Sequence, residues 1–139
     1  MKKPIITGNT IKIPSDLNYL ATVDEFVEGI LRGYGADESI IADIAISVSE
    51  LINNSVNHGN QADSEQPVEV TVNKKGDNVS ISITDQGSGF DPGEIADPLA
   101  EENLLKNAGR GIFIVKSLMD SIDVETTAKG TIITITKKI

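Results

Sequence analysis

The chain has no cysteine, a single histidine and too few basic residues to balance its acidic ones. Without cysteine there is no disulfide framework and no thiolate nucleophile, and one histidine does not build a usual zinc site. Twelve basic against twenty-one acidic residues leave a formal net charge of −9. That argues against a nucleic-acid binder, whose electrostatic footprint is a basic face. No apolar run is long enough to span a bilayer, and the start Met1-Lys2-Lys3-Pro4-Ile5-Ile6-Thr7-Gly8 lacks the apolar stretch of a signal peptide. The expectation is a cytoplasmic protein that contacts neither nucleic acid directly nor membrane. The rest is ordinary for a globular chain: 39% apolar and 24% charged residues over 139 positions. That suffices for one domain, residues 1–139, with a real core.

The longest periodic stretch organises the chain. Ile40, Ile41, Ile44, Val48, Leu51, Ile52 and Val56 recur with a helical period. On a wheel of about 100° per residue, Glu50, Asn54 and Asn57 gather within about 60° of one another, mostly opposite Ile41, Ile44, Val48 and Leu51. This predicts a helix capped by Asp37 or Ser39 and running to about His58, with Gly59 as its stop. Taken alone, its second face reads as a solvated polar surface. Two glycine-rich segments further on change that reading.

Before this helix, Ile5-Ile6 and Ile11-Lys12-Ile13 read as strand pieces around a Gly8-Asn9 turn. Pro14-Ser15-Asp16 then opens a helix with Ser15 or Asp16 as cap and Leu17, Leu20, Val23, Val27, Ile30 and Leu31 as buried stripe. After it, residues 68–72 and 79–83 alternate strictly, predicting two half-buried strands joined by a hairpin turn at Lys74–Asn78. Ile122–Val124 and Thr131–Ile135 read as a second pair turning at Lys129-Gly130.

The strand at 79–83 runs into Asp85-Gln86-Gly87-Ser88-Gly89-Phe90. Two glycines spaced by one residue let a backbone turn sharply and approach a ligand closely. A carboxylate at the strand end can accept a hydrogen bond from an exocyclic amine. The plain alternative is a turn opened by an aspartate. Residues 91–108 form a connection long enough to be a lid, with a helical turn possible at 101–106. It ends in Gly109-Arg110-Gly111 and the helical pattern Ile112, Val115, Leu118, Met119. Glycines opening a helix leave backbone N–H groups and a positive dipole end aimed at one spot, a phosphate cradle to which Arg110 adds a cation; the plain alternative is flexible punctuation between loop and helix. A Rossmann fingerprint is excluded, because Ile114 stands where its third glycine belongs and Lys129 where its acid belongs. No Gly-x4-Gly-Lys-Ser/Thr loop occurs either.

The order Glu50-x3-Asn54 with His58, then Asp85-x-Gly87-x-Gly89-Phe90, then Gly109-x-Gly111, then Gly130-Thr131, resembles the GHKL (histidine kinase-like) ATPase superfamily over nearly the whole chain. Ser-Glu-Leu-Ile-Asn-Asn-Ser-Val-Asn-His-Gly, Glu-Asn-Leu-Leu-Lys, Gly-Arg-Gly-Ile-Phe and Leu-Met-Asp resemble its anti-sigma factor serine kinases of partner-switching systems. The resemblance implies an α/β fold, a two-layer α/β sandwich with a mixed, mainly antiparallel sheet carrying helices on one face. It also implies ATP and Mg²⁺, with Asn54 as metal ligand and Glu50 as the catalytic base toward a partner's serine. Asp85 would read adenine with Thr131 in support, Gly87 and Gly89 would shape the pocket wall, and Gly109, Arg110 and Gly111 would close on the phosphates. Asn57 and His58 receive no firm role. The implied partners are a small anti-anti-sigma antagonist with an acceptor serine and a sigma factor, and the implied state is a homodimer.

Three alternatives stand beside this. A nucleotide-gated adaptor would transfer no phosphate, but a pure binder has no need of a base at Glu50. A detached sensor histidine kinase domain needs an upstream phospho-accepting histidine, and residues 1–57 contain none. A related serine kinase that controls a signalling complex without binding a sigma factor stays open.

Overall fold

In the computed structural model of the chain, residues 3–59, 65–86, 111–128 and 130–139 are described. Six strands form one sheet: β1 (Ile5–Thr7), β2 (Thr10–Ile13), β3 (Val68–Lys75), β4 (Asn78–Asp85), β5 (Ser121–Thr127) and β6 (Gly130–Lys138). Their order is β1-β2-β3-β4-β6-β5. Expected as mixed and mainly antiparallel, the sheet is antiparallel at every described pairing. Among the described residues three α-helices accompany it: α1 (Leu20–Gly33), α2 (Glu38–Asn54) and α3 (Gly111–Leu118).

The period-2 alternation decides which face they cover. One row across the sheet runs Ile11, Val70, Ile83, Ile133 and Val124; the next runs Val72, Ile81, Ile135 and Ile122. All of these except Val124 are buried, together with Val23, Val27 and Leu31 of α1 and Ile41, Ile44, Val48, Leu51 and Ile52 of α2. Each such side chain contributes about 1.5–3 kcal/mol through burial. The opposite face is polar. Thr10, Thr71, Ser82 and Thr134 form a hydroxyl row, with oxygens 2.9 Å apart for Thr10–Thr71 and 3.2 Å apart for Ser82–Thr134. The result is the expected two-layer sandwich, with α1, α2 and α3 on one side.

Two helix ends differ from expectation. Asp16 does cap, but it caps a short 3-10 turn, Leu17–Tyr19, by accepting from the Asn18 amide at 2.9 Å. The α-helix begins only at Leu20, so Leu17 leaves the buried stripe and is exposed, while Leu20 and Ile30 pack at its margin. Ser15 is buried and its hydroxyl donates to the Gln66 carbonyl instead of capping. At the second helix, Asp37 is the cap residue but makes no side-chain cap bond. The α2 ladder ends at Asn54 and loosens into one π-type turn, Ser55–Gly59. Such a turn inside or beside an α-helix is frequent at functional sites.

A single lysine sets how α2 and α3 lie on the sheet. Lys137 Nζ donates to the Leu118 carbonyl at the end of α3 at 2.6 Å. It also lies 4.0 Å from Asp43 and 3.9 Å from Asp120. A cation at a helix C-terminus satisfies an orphan carbonyl and complements the dipole. Because Lys137 pairs with Val79 across β4–β6, the early half of α2 sits over that end of the sheet. The turn that follows α2 packs on β4, whose last residue, Asp85, pairs with Thr131.

Candidate functional site

Three residues meet where α2 and α3 touch. Gly111 opens α3, and a Cβ built on it would lie 2.7 Å from Glu50 Oε2, 3.7 Å from Glu50 Cδ and 3.8 Å from Asn54 Nδ2. Its backbone is not in the left-handed region, unlike that of Gly8, Gly35, Gly76 and Gly130. Glycine is therefore needed here for space, not for conformation: the Glu50 carboxylate occupies the volume of the missing methyl. One turn on, the Asn54 Nδ2 is buried with no hydrogen-bond partner. A buried polar atom left unpaired costs about 1–3 kcal/mol, so an amide held this way suits a group brought from outside.

At the end of the sheet, the alternation of β4 puts Asp85 on the same face as Ile81 and Ile83. Asp85 is 4% exposed and its cross-strand partner Thr131 is 6% exposed. A carboxylate in a position that packing alone would give to valine or isoleucine is unusual. Gly130 makes the arrangement possible. It has φ +145, and any Cβ there would collide with the Asp85 backbone carbonyl. On the wheel, Ser55 falls with Val48 and Leu51 on the sheet side; its Oγ is buried and likewise has no partner.

The structure thus brings Glu50, Asn54 and Gly111 into one cluster and pairs Asp85 with Thr131 at the end of β4. Asn57 does not join them; it is exposed and donates to Asn53 Oδ1 at 2.6 Å. The π-turn begins between Asn54 and Asn57, which breaks the 100° spacing that grouped them on the wheel. The expected roles of Gly87, Gly89, Gly109, Arg110 and the lid at 91–108 fall outside the described residues, as does the His58 side chain. A hollow of about 580 Å³ opens at the sheet margin, lined by Thr84, Asp85, Gln86, Thr127, Gly130 and Ile132. Thr84 and Ile132 belong to the face away from the helices, so this hollow is not the space where Glu50 and Asn54 meet. Gly130 as a backbone requirement and Ser55 as an orphaned hydroxyl were not singled out from the sequence. The available signal for Ser55 was a hydroxyl at a core position of an otherwise apolar stripe.

Known proteins share this fold. The profile of the histidine kinase-like ATPase domain matches residues 13–137. Serine-protein kinase RsbW of Staphylococcus epidermidis is 29% identical over 121 residues, covering 82% of this chain and 76% of that protein. Serine-protein kinase RsbW of Staphylococcus aureus is 28% identical over 136 residues, covering 93% and 85%. Among solved structures, the RsbU and RsbW domains of Rv1364c from Mycobacterium tuberculosis superpose with a TM-score of 0.68 at 26% identity. That match covers 99% of this chain but 32% of the longer one. The SiaB-SiaC complex from Pseudomonas aeruginosa gives a TM-score of 0.57 at 12% identity, covering 99% and 90%, a likeness of fold alone.

Proposed function

The chain belongs to the histidine kinase-like ATPase domain family, and from that premise we propose that it is an ATP-dependent protein serine kinase acting as an anti-sigma factor. It phosphorylates the serine of a small anti-anti-sigma protein and holds a sigma factor when that antagonist is phosphorylated. It works in the cytoplasm as a homodimer. The observation that carries the reading is the Glu50 carboxylate resting on Gly111, one helical turn from the orphaned amide of Asn54. A domain that only bound nucleotide would need the amide but not the carboxylate. The names of the RsbW relatives support the same reading.

Each residue then has a task. Glu50 accepts the proton of the attacking serine hydroxyl as its oxygen bonds to the γ-phosphorus; the bond from that phosphorus to the bridging oxygen breaks and ADP leaves. A base of this kind contributes about 10²–10⁴-fold. Asn54 fits Mg²⁺, because a half-turn of its amide puts the oxygen where the unpartnered nitrogen now lies. That ion keeps most of its water and needs few protein ligands; when bound, it neutralises charge on the phosphates. Asp85 accepts from the adenine amine, with Thr131 beside it. Gly111 lets its helix start approach the phosphates, with Gly109 and Arg110 completing the cradle, and Gly87 and Gly89 form the wall near the base.

The test is to incubate the chain with Mg²⁺, γ-labelled ATP and the small-protein fraction of its own organism, then to locate phosphoserine by mass spectrometry. Transfer to one small protein, lost in Glu50→Gln, is expected. Nucleotide binding without any transfer would instead establish the adaptor.

A further inference from the structure

Lys137 is a charge in a place that packing would give to an apolar side chain. In β6 it continues the inward alternation of Ile133 and Ile135, opposite Val79, which is fully buried. Its own side chain is 19% exposed. An ammonium group so covered costs stability unless it is paired and hydrogen-bonded, and valine or isoleucine would continue the row without that cost. Taken alone, the lysine is a clamp that holds the fold together. What it clamps leads to the site.

The ammonium group joins two helices at one level. It donates to the Leu118 carbonyl of α3 at 2.6 Å and lies 4.0 Å from Asp43 of α2. The same helices meet again where Gly111 faces Glu50, with 2.7 Å from a Cβ on the glycine to Oε2. So α3 runs antiparallel to α2, with Leu118 level with Asp43 and Gly111 level with Glu50. Each helix covers the distance between the two levels in seven residues, about 10 Å at the helical rise. With only eight residues, α3 is too short to hold a helix or its register unaided. Among the described residues, the polar ties from α3 and the turn after it to other elements all lie at this end. They are Leu118 to Lys137, the Asp120 N–H to the Thr136 carbonyl, and the Lys138 N–H to Asp120 Oδ2. A stiff rod pinned at one end delivers its register to the other. A slip of one residue would carry Gly111 about 1.5 Å along Glu50, and Gly111 is the one position of α3 without a side chain.

We propose that Lys137 is a positioning residue for phosphotransfer: by tying the end of α3 to Asp43, it sets the register in which Gly111 leaves room for the Glu50 carboxylate. It touches no substrate and acts only through the two helices. The inference rests on the kinase reading above, in which Glu50 is the base.

Lys137→Met removes the ammonium group and keeps most of the stem, whereas Lys137→Arg keeps a cation. Single-turnover transfer at saturating Mg·ATP, to the serine protein recovered in the phosphoserine experiment, is measured well below the unfolding temperature of each variant. Lys137→Met should transfer about ten- to a hundred-fold more slowly, the scale of a misplacement approaching 1 Å. Its ATP affinity should fall by less, and Lys137→Arg should recover most of the rate. A double-mutant cycle with Gly111→Ala separates positioning from mere stability. Sites about 10 Å apart with no shared partner ordinarily add to within about two-fold. If register links them, Gly111→Ala should slow Lys137→Met several-fold less than it slows the wild type, because the carboxylate is already displaced. Additive effects, or undiminished transfer by a folded Lys137→Met, overturn the proposal. Should Lys137→Met fail to fold, Asp43→Asn loosens the α2 side of the clamp alone. It should move the Gly111 amide resonance and lower transfer by up to about five-fold, and no change in either overturns the proposal. The same resonance tells this from a failure of the kinase reading, since it should move in Lys137→Met and return in Lys137→Arg without any phosphate being transferred. An unmoved resonance overturns the register; a moved one in a chain that phosphorylates no serine refutes the kinase reading, and the catalytic purpose of Lys137 with it.

Discussion

Gly111→Ala is the sharpest perturbation the geometry offers. The added methyl would stand 2.7 Å from Glu50 Oε2, whereas a carbon and an oxygen not bonded to each other rest at roughly 3.2–3.4 Å, somewhat inside the optimum for two carbons. The carboxylate must therefore retreat by at least about half an ångström, the tolerance within which a catalytic group has to be held. Asn54 is spared, since 3.8 Å to its Nδ2 is an ordinary contact. Backbone strain does not arise, because Gly111 is not in the left-handed region. Alanine is also the better helix former by up to about 1 kcal/mol. The expected phenotype is narrow. Phosphotransfer in a single-turnover quench assay should fall about 10–100-fold, the scale of a misplacement approaching 1 Å. ATP affinity should fall by less than transfer does, because the methyl's nearest neighbour is Glu50 Oε2, and the unfolding temperature should hold or rise. Wild-type transfer by a properly folded Gly111→Ala would show that the position of Glu50 is not what limits the reaction, and the carboxylate would lose its assignment as base. Loss of ATP binding instead would make Gly111 a phosphate contact first.

Other expectations follow from neighbouring residues. Asn54→Ala should lose Mg·ATP binding in a calorimetric titration, while Glu50→Gln should bind nucleotide and fail to transfer its γ-phosphate; equal loss of binding in both would refute the division of labour. Asp85→Asn should lower ATP affinity by about 1–3 kcal/mol and narrow the preference over GTP in a competition assay. An unchanged preference would count against a carboxylate reading the base. Asp24 carries a pH dependence of its own. Burial, the largest cause, holds its carboxyl above the ordinary aspartate range, against the Ser49 hydroxyl bond and with help from Glu28. With the folded pKa raised, Asp24 favours the fold at low pH and that contribution is lost as pH rises through the folded value. Asp24→Asn should thus unfold at a higher temperature than wild type at pH 7, and the gap should close as the solution is acidified; a gap that widens on acidification would contradict the sign.

Most of the fold was legible because burial on one face leaves a period. Strands at 68–72 and 79–83 alternate, and the structure extends both to 68–75 and 78–85. Their ends are polar on both sides, so alternation cannot locate them. The start of α1 was misjudged for a physical reason of the same sort. Leu17 has the right spacing for the stripe, but Ser15 bonds to Gln66, a residue 51 positions away. A contact that distant leaves no local trace, and a 3-10 turn capped by Asp16 precedes the α-helix.

The site divides along the same line. Glu50 and Asn54 could be paired on a wheel because they share one helix, and Asp85 stood out as a carboxylate at a strand end just before two spaced glycines; its burial is a finding of the structure. Gly111 was legible only as a helix start able to face phosphate. That its missing methyl is filled by Glu50 depends on α3 returning against α2, a fact of packing across 61 residues. The two orphaned atoms show the remaining gap. Asn54 Nδ2 and Ser55 Oγ are adjacent in sequence and both unpaired, yet they point about 100° apart, one toward the α2–α3 seam and one toward the sheet. A chain that leaves two neighbouring polar groups unsatisfied in different directions has given up stability twice at one place. A nucleotide is large enough to reach both directions at once, which a metal ion alone is not.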